Sequence, residues 1–400
     1  MISFLKKFLL GSPAAPPAVS LLTTQTAVQP ILRHQGANIS ARDHQAVKVA
    51  AKNTKATNQR TSISVHDHQG VEKILGSELA RGGEGVVYRL VQRHDVLVKI
   101  YHPAVLSNAG NIQRLQNKIM AMAANNRLRG LDRVAWPLLP LFNSANGNWC
   151  GYAMGRRNGI SLQGLLGAPQ NLLEFAPGWN RLHLVRLCLD FLDTIDTLCT
   201  ERAVPVDFNP CNFLVDIEKQ RFHFIDCDGY QFQDAAGRLY LTEAVRPDLA
   251  PPELLARTRW DESPVAPASL RFSVGMVLFF ILNLGNNPYR HRNGNDPIEN
   301  LRAGLCGLGR GADCELPRGP WYVIWSHLIF DLKQLFIRCF RDGHRNPVAR
   351  PAIAEWRAAL LKYEDCLVRG FSDAALIPAQ AKDQNFRGTG NPKSSTRNAA

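Results

Sequence analysis

The chain has 400 residues, 45% hydrophobic and 20% charged, which is typical of a soluble globular protein with a substantial core. Its formal net charge is +13, but the basic residues are scattered and give no strong nucleic-acid signal. Nine dispersed cysteines without any C-x-x-C motif indicate reduced thiols in a cytoplasmic compartment. This pattern excludes a disulfide framework and a cysteine-based zinc site.

Both ends of the chain have the composition of disordered segments. Residues 1–70 form a basic segment rich in Ala, Pro, Ser, Thr and Gln, and residues 371–400 repeat this character. The apolar run at residues 1–11 has two lysines inside it, which disfavours a cleaved secretory signal. Weak membrane contact through this run, or a delivered effector, is the alternative to a cytoplasmic protein.

Between these segments, residues 71–370 are predicted to form one folded region in which strands precede helices. The predicted strands and helices, in chain order, are strands at 86–91 and 96–101, a helix at 111–129, strands at 138–142 and 151–154, a helix from 182, a strand at 222–225 and a helix at 273–284. The last helix is too short to span a bilayer. This order predicts an α+β protein with two lobes, at about residues 71–155 and 156–370.

A glycine-rich stretch lies between the first β-forming runs. Gly82, Gly83 and Gly85 are followed by Val86 and Val87, so the stretch predicts a β-hairpin, whereas a P-loop leads into a helix. Glycines let backbone N–H groups approach phosphate oxygens without interference from a Cβ atom. An ordinary glycine turn is the alternative interpretation.

Lys99 lies on the next strand, fourteen residues after Gly85. A lysine on an alternating strand beside a glycine hairpin is suited to pair with nucleotide phosphates. A lone lysine on a strand is more often a solvated edge residue. The position relative to the glycine hairpin favours the phosphate-binding interpretation.

Three polar residues further along the chain are suited by type and order to phosphoryl transfer. Asp207 lies in a proline-flanked loop, Asn212 follows five residues later, and Asp226 comes after one hairpin. The first aspartate would orient an attacking hydroxyl, and the other two would hold Mg²⁺. Each of them alone is equally compatible with an ordinary turn residue. Their order and spacing favour the functional set.

Together these motifs resemble the protein kinase superfamily over about residues 72–365. Ala250-Pro-Pro-Glu253 is similar to the A-P-E segment, and Arg350 is similar to the arginine that pairs with its glutamate. The runs at 99–102, 118–122 and 225–228 resemble a bacterial subgroup of kinase-like proteins. Some members of that subgroup carry helix-hairpin-helix segments or occur beside von Willebrand A and phosphatase partners.

The resemblance implies a two-lobed kinase-like fold with a small β-rich N-lobe and a larger helical C-lobe. It implies a cytoplasmic bacterial Ser/Thr protein kinase that uses ATP and Mg²⁺, has a protein substrate, and has von Willebrand A or phosphatase proteins as partners. The implied site residues are the catalytic base Asp207, the ATP-binding residues Gly82, Gly83, Gly85, Val87 and Lys99, and the metal ligands Asn212, Asp226 and Asp228.

The chain also departs from the family pattern. Val206 and Asn209 stand where an arginine and a lysine are usual, and the metal-site triplet reads Asp-Cys-Asp before Gly229. Residues 103–129 contain no Asp or Glu, so the helix there has no carboxylate for Lys99. Gln113 or Gln116 of this helix is then the expected hydrogen-bond partner of Lys99, and a weaker one than a carboxylate. These departures leave a nucleotide-binding or scaffolding pseudokinase as the alternative to an active kinase.

Overall fold

Runs of β-branched and aromatic residues form the strands that open the fold. The computed structural model describes residues 64–242, 250–255, 257 and 263–382. Six antiparallel strands close into a barrel in the order β1-β2-β3-β4-β6-β5. Their bounds are β1 Ser64–Asp67, β2 Glu72–Arg81, β3 Gly85–Leu90, β4 Val96–Tyr101, β5 Pro137–Asn143 and β6 Trp149–Gly155.

The barrel closes because β1 pairs with both β2 and β5. β1 lies inside the segment 1–70 that the composition predicts as disordered, so the folded region starts earlier than the expected boundary at residue 71. Residues 1–63, including the predicted membrane contact at residues 1–11, lie outside the described residues.

Strand β4 has two buried faces with different surroundings. Val96 and Val98 belong to the core inside the barrel, whereas Leu97 and Tyr101 belong to the main core of the protein. Successive side chains of a strand point to opposite sides. Lys99 therefore lies with Leu97 and Tyr101 on the face toward the main core, which is the face that carries the candidate site.

The rest of the described chain consists of helices and two small sheets. The helices are α1 Ala109–Ala124, α2 Asn126–Arg129, α3 Leu162–Leu166, α4 Pro169–Phe175, α5 Arg181–Thr200, α6 Pro252–Leu255, α7 Pro267–Leu282, α8 Pro297–Ala303, α9 Pro320–His327, α10 Phe330–Ile337, α11 Gly343–Arg345 and α12 Ile353–Val368. The small sheets have the strand orders β10-β9-β7 and β12-β11-β8. Their strands are β7 Ile160–Ser161, β8 Ala203–Val204, β9 Phe213–Asp216, β10 Arg221–Phe224, β11 Gln231–Gln233 and β12 Leu239–Tyr240.

Helix α7 is buried on nearly all sides, as its continuous apolar sequence predicts. A Cβ atom on Gly275 would lie 2.7 Å from Sγ of Cys339, so the glycine allows close packing against the π-helical turn at 338–342. Within the described ranges, no helix combines the length and the apolar character needed to cross a membrane.

The C-terminal end of the described chain is held by Arg181 at the start of α5. Its buried guanidinium donates hydrogen bonds to the hydroxyl oxygen of Tyr363 and to the carbonyl oxygens of Leu282 and Leu376. Backbone contacts continue to Lys382, whose N–H donates to the Ser326 hydroxyl. The ordered chain therefore extends beyond the expected boundary at residue 371, and residues 383–400 lie outside the described part.

The predicted elements agree with the structure in type and in order. The strands expected at 96–101 and 222–225 correspond to β4 and β10, and the helices expected from 182 and at 273–284 correspond to α5 and α7. The chain therefore has the mixed α+β character that the sequence predicts. Closure of the first six strands into a barrel was not part of the expectation.

Candidate active site

The loop that carries Asp207 is fixed by burial on either side of this residue. Val206 packs into a small apolar cluster with Leu254, and Phe208 is buried with its ring 5.9 Å from the ring of Phe213. Asp207 lies between them and is half-buried. The alternation of buried and half-buried positions therefore turns the carboxylate away from the core.

Asp207 and Asn212 are brought together by a short turn. Pro210 begins a 3₁₀ turn that ends at Asn212, and the Asn209 side chain caps this turn by accepting from the Cys211 N–H. Nδ2 of Asn212 donates to Oδ2 of Asp207 over 3.2 Å. This bond uses the amide nitrogen, so the amide oxygen is the atom of Asn212 that can bind a metal.

The hairpin of β9 and β10 sets Asp226 beside Asn212. Phe213 of β9 pairs with Phe224 of β10, and the Ile225 N–H donates to the Asn212 carbonyl oxygen over 2.9 Å. Phe191 of α5 stacks on Phe224 with ring centroids 5.6 Å apart, which anchors the hairpin on the helix. Asn212 and Asp226, two of the three predicted metal ligands, therefore flank one strand pair that is packed by aromatic rings.

Asp226 has a left-handed backbone conformation, with φ +59° and ψ 42°. This region is sparsely populated by residues other than glycine, although Asp and Asn tolerate it better than most. Its side chain is 45% exposed. Such conformations concentrate at functional sites, where the surrounding structure holds them in place.

The glycine stretch forms the predicted hairpin between β2 and β3. The Gly82 N–H donates to the Gly85 carbonyl oxygen over 2.9 Å, and the His102 N–H donates to the Glu84 carbonyl oxygen over 2.8 Å. A Cβ atom on Gly83 would meet no neighbouring atom within 4 Å, so open space surrounds the tip. Gly82 and Gly83 are therefore the glycines whose backbone a phosphate could approach.

Gly85 is required for a different reason. A Cβ atom there would lie 2.4 Å from the carbonyl oxygen of Ile100, so the glycine permits the close pairing of β3 with β4. Val87 on the same strand pairs directly with Lys99. The structure therefore places Val87 beside the lysine and gives Gly85 a role in strand packing.

Lys99 is buried and surrounded by three carboxylates. Its Nζ donates to Oδ1 of Asp226 over 2.7 Å and to Oδ2 of Asp228 over 2.8 Å, and it lies 3.5 Å from Oε2 of Glu84. These contacts match the three donors of an ammonium group. Lys99 therefore links β4, the tip of the glycine hairpin and the segment that follows β10.

Asp228 is the most enclosed acid of the site, with its side chain 2% exposed. In addition to Lys99, Oδ2 accepts from the hydroxyl of Tyr101 over 2.6 Å, and Oδ1 accepts from the hydroxyl of Tyr152 over 2.8 Å. Both carboxylate oxygens are therefore engaged by side chains of the barrel, from β4 and β6.

The pKa values of these groups follow from burial and from their partners. Burial raises the pKa of Asp228, but the charge of Lys99 and the hydrogen bonds from Lys99 and both tyrosines outweigh it and lower this pKa to about 2. Burial lowers the pKa of Lys99, but the carboxylates of Asp228, Asp226 and Glu84 outweigh it and raise this pKa. The pair is therefore ionised at neutral pH.

Burial, Cys227 and the carboxylates of Asp226 and Asp207 together raise the pKa of Tyr230 well above its ordinary value. The link between the candidate base and the metal-binding segment is seen in hydrogen bonds: the Asn212 side chain donates to Asp207, and the Asn212 carbonyl oxygen accepts from the N–H of Ile225, the residue before Asp226.

The expectation that Gln113 or Gln116 would bind Lys99 is wrong for the described structure. Nε2 of Gln113 donates to Oδ1 of Asn117 on its own helix, over 2.9 Å. The recorded partners of Lys99 are carboxylates that come from outside α1. The helix has no acidic residue, and the segment after β10 supplies the charge instead.

Three residues of the site were missed by the sequence patterns: Glu84, Tyr101 and Tyr152. Tyr101 could have been found, because it lies two residues after Lys99 and therefore on the same face of β4. Tyr152 is the cross-strand neighbour of Lys99, and its position depends on the pairing of β4 with β6. No local pattern links it to the lysine.

Asn212 and Asp226 carry side-chain oxygens, the type of ligand that Mg²⁺ prefers. Within the described ranges, no group of three or more His, Cys, Asp and Glu side chains could hold a metal ion by itself. Mg²⁺ in phosphoryl-transfer sites is usually held by one or two carboxylates together with substrate phosphates. Two protein ligands leave other coordination positions of a Mg²⁺ ion for substrate oxygens and water.

The chain is similar to two proteins that carry the name protein kinase YegI. It is 28% identical over 311 residues to the protein of Escherichia coli strain K12, covering 75% of this chain and 46% of the relative. It is 27% identical over 295 residues to the protein of Escherichia coli O157:H7, covering 71% and 44%. No protein-family model matches the chain. The chain therefore spans less than half the length of these curated relatives, and the similarity to them covers about three quarters of its own length.

Proposed function

We propose that the protein is an ATP-dependent protein kinase with a two-lobed kinase-like fold, in which the barrel forms the N-lobe. The reaction would transfer the γ-phosphoryl group of ATP to a Ser or Thr hydroxyl of a protein substrate. The observation that carries this proposal is the convergence of Lys99, Asp226, Asn212 and Asp207 from three separate parts of the chain. The similarity to proteins named as kinases supports it.

Each of these side chains has a distinct proposed role. Asp207 accepts the proton of the attacking hydroxyl, and its hydrogen bond with Asn212 keeps its carboxylate oriented. Lys99 binds nucleotide phosphates as a fixed positive charge. Asn212 and Asp226 hold Mg²⁺, which when bound neutralises the charge of the phosphates.

The ATP pocket in this proposal lies between the glycine hairpin and the segment after β10. Gly83 offers a backbone N–H group at an open hairpin tip, next to Gly82, whose own N–H donates to the Gly85 carbonyl oxygen. Val87, beside Lys99, provides an apolar contact for the nucleotide. Catalysis by such a site rests on positioning and on charge neutralisation, because phosphoryl transfer requires no reactive nucleophile from the protein.

The proposal is tested by incubating the purified chain with Mg-ATP and a general protein acceptor and locating the phosphate by mass spectrometry. We expect transfer by the wild type and a loss of about 100-fold or more in Asp207→Ala, the usual contribution of a general base. Asp216→Asn is the matched control, since Asp216 contacts Lys219 in a turn away from the site.

A pseudokinase is the second candidate, and one observation favours it. All three donors of Lys99 point to carboxylates of the protein, including the candidate metal ligand Asp226. A nucleotide must therefore displace at least one of these contacts before the lysine can bind phosphate. Binding of ATP without any phosphate transfer, in the wild type and in Asp207→Ala alike, would establish the pseudokinase and reject the kinase.

A further inference from the structure

The carboxylates that contact Lys99 do not come from helix α1. Helix α1 carries no acidic residue, and Gln113 is engaged with Asn117 on the same helix. The nearest carboxylates come from the turn after β10 and from the glycine hairpin. The side chain that orients the lysine must therefore be sought in one of these two places.

We propose that Asp228 is the positioning residue for Lys99, and that Tyr101 and Tyr152 lock Asp228 in place. This inference rests on the proposed function, because it assigns to Lys99 the binding of nucleotide phosphates. The inference assigns different roles to two acids that are only two residues apart: Asp226 binds the metal, and Asp228 binds Lys99.

The exposures of the two acids support this division. The side chain of Asp226 is 45% exposed, whereas that of Asp228 is 2% exposed. An exposed carboxylate can leave the ammonium group and bind a metal at little cost, since its contact with the lysine is screened by water. If a buried carboxylate moved away from its partner, two unpaired charges would remain inside the protein, which is unfavourable. Asp228 therefore keeps its contact with Lys99 when Asp226 leaves the lysine and binds the metal.

The hydrogen bonds of Asp228 support the same conclusion. Tyr101 donates to one oxygen and Tyr152 to the other, so the carboxylate plane is fixed from two strands of the barrel. Tyr101 lies on the same strand as Lys99, and Tyr152 pairs with Lys99 across the sheet. A buried acid is well tolerated when every oxygen has a partner. The lysine and its anchor thus form one rigid unit with the barrel.

This arrangement has a consequence for the site as a whole. Asp228 belongs to the short turn Cys227–Gly229 that directly follows Asp226. The orientation of the phosphate-binding lysine is therefore coupled to the metal-binding segment, and it does not require a carboxylate on helix α1.

The first test measures ATP binding without metal, by calorimetry in excess chelator, and the KM and kcat for ATP with Mg²⁺. Asp228→Asn should weaken metal-free ATP binding by about 10-fold or more and raise KM, the size expected for one charge-assisted hydrogen bond. Tyr152→Phe, a milder change, should weaken binding by about 2- to 5-fold. Tyr289→Phe is the matched control, because this buried tyrosine donates to Phe340 in another part of the core.

A positioning role is separated from a general structural one by repeating Asp228→Asn in a Lys99→Met background. If Asp228 acts through Lys99, the second substitution should change metal-free ATP binding by less than about 2-fold. An equal loss of ATP binding in both backgrounds would overturn the inference.

A second test needs no nucleotide, so it distinguishes failure of this inference from failure of the proposed function. Double-mutant cycles on urea unfolding compare Lys99→Met with Asp228→Asn and with Asp226→Asn. The Lys99–Asp228 cycle should show the larger coupling, at least about 10-fold in the unfolding equilibrium, because this pair is buried. Coupling that is absent, or larger for Asp226, would overturn the inference even if the chain transfers phosphate. Coupling as expected in a chain that does not bind ATP would reject only the proposed function.

Discussion

Arg350 and Glu253 form a two-bonded ion pair, with Nη1 and Nη2 of the arginine 2.6 and 2.8 Å from the two carboxylate oxygens. Arg350 is 1% exposed and also donates to the carbonyl oxygens of Gly343 and Ala268. Ser269 donates a further hydrogen bond to Glu253. The pair therefore ties α6, the start of α7 and the turns before α12 together.

Replacing Arg350 with methionine should destabilise the protein by about 3 kcal/mol. The substitution leaves a partly buried carboxylate without its counter-charge, and such losses typically cost 3–5 kcal/mol. We expect a loss at the lower end of this energy range because the Glu253 side chain is 32% exposed. Urea unfolding followed by circular dichroism measures the change.

The control for this prediction is Arg369→Met. Arg369 pairs with Asp365 one helical turn away, and both side chains are more than half exposed. Surface pairs of this kind contribute about 0–1 kcal/mol. A similar loss of stability in both variants would contradict the role assigned to the buried pair.

Glu253 should also make stability depend on pH in the acidic range. Burial raises its pKa, but the hydrogen bonds from Arg350 and Ser269 outweigh this effect and lower it below the ordinary value of 4.5. A depressed pKa contributes stability above the unfolded-state pKa, and this contribution is lost as pH falls through the folded-state value. The difference in stability between wild type and Glu253→Gln should therefore shrink below about pH 4.5.

Urea unfolding of both proteins between neutral pH and about pH 3 measures this difference. Below the folded-state pKa, the glutamate is neutral in both the folded and the unfolded chain, so the two curves should converge. A difference that stays constant over this range would show that the Glu253 charge makes no contribution.

The features that could be predicted from the sequence are those encoded by neighbouring residues. The glycine hairpin, the strand of Lys99 and the helix from 182 each have a local pattern, and the structure has all three. The resemblance also correctly paired Arg350 with Glu253.

The remaining features depend on contacts between distant parts of the chain. The pairing of β1 with β5 closes the barrel through weak cross-strand preferences that no single segment displays. The resemblance implies that Asp228 is a metal ligand, which stays a prediction for this residue. Its enclosure by Tyr101 and Tyr152 depends on the packing of the turn after β10 against the barrel, which residue spacing does not encode.

Alanine substitutions at Gly83 and Gly85 should affect two different properties of the hairpin, phosphate binding and strand packing. Gly85→Ala should destabilise the protein by about 1–3 kcal/mol, because its Cβ atom would lie 2.4 Å from a backbone oxygen that cannot move alone. Gly83→Ala should change stability by less than about 0.5 kcal/mol, since its surroundings are open. Gly83→Ala should nevertheless weaken ATP binding, because a side chain would obstruct the backbone that approaches phosphate.

Thermal unfolding and calorimetry with ATP measure the two effects separately. Each glycine serves as the control for the other, since both substitutions add the same methyl group to one hairpin. Normal ATP affinity in Gly83→Ala would place the phosphates away from the hairpin tip. Unchanged stability in Gly85→Ala would contradict the close pairing of β3 and β4.

Two substitutions of Asp226, to asparagine and to alanine, test the metal site and distinguish the effect of its side chain from that of backbone strain. Asparagine tolerates the left-handed conformation of this residue better than alanine does. Asp226→Ala should therefore be less stable than Asp226→Asn by about 1 kcal/mol, measured by urea unfolding. Asp226→Ala removes both carboxylate oxygens, so the gain in ATP affinity that Mg²⁺ gives should be lost, whereas Asp226→Asn keeps one amide oxygen as a weaker ligand. If Asp226→Ala still binds ATP more tightly with Mg²⁺ than without it, the metal is held elsewhere. Asn212→Ala, which spares Asp226, would then show whether the other proposed ligand holds it.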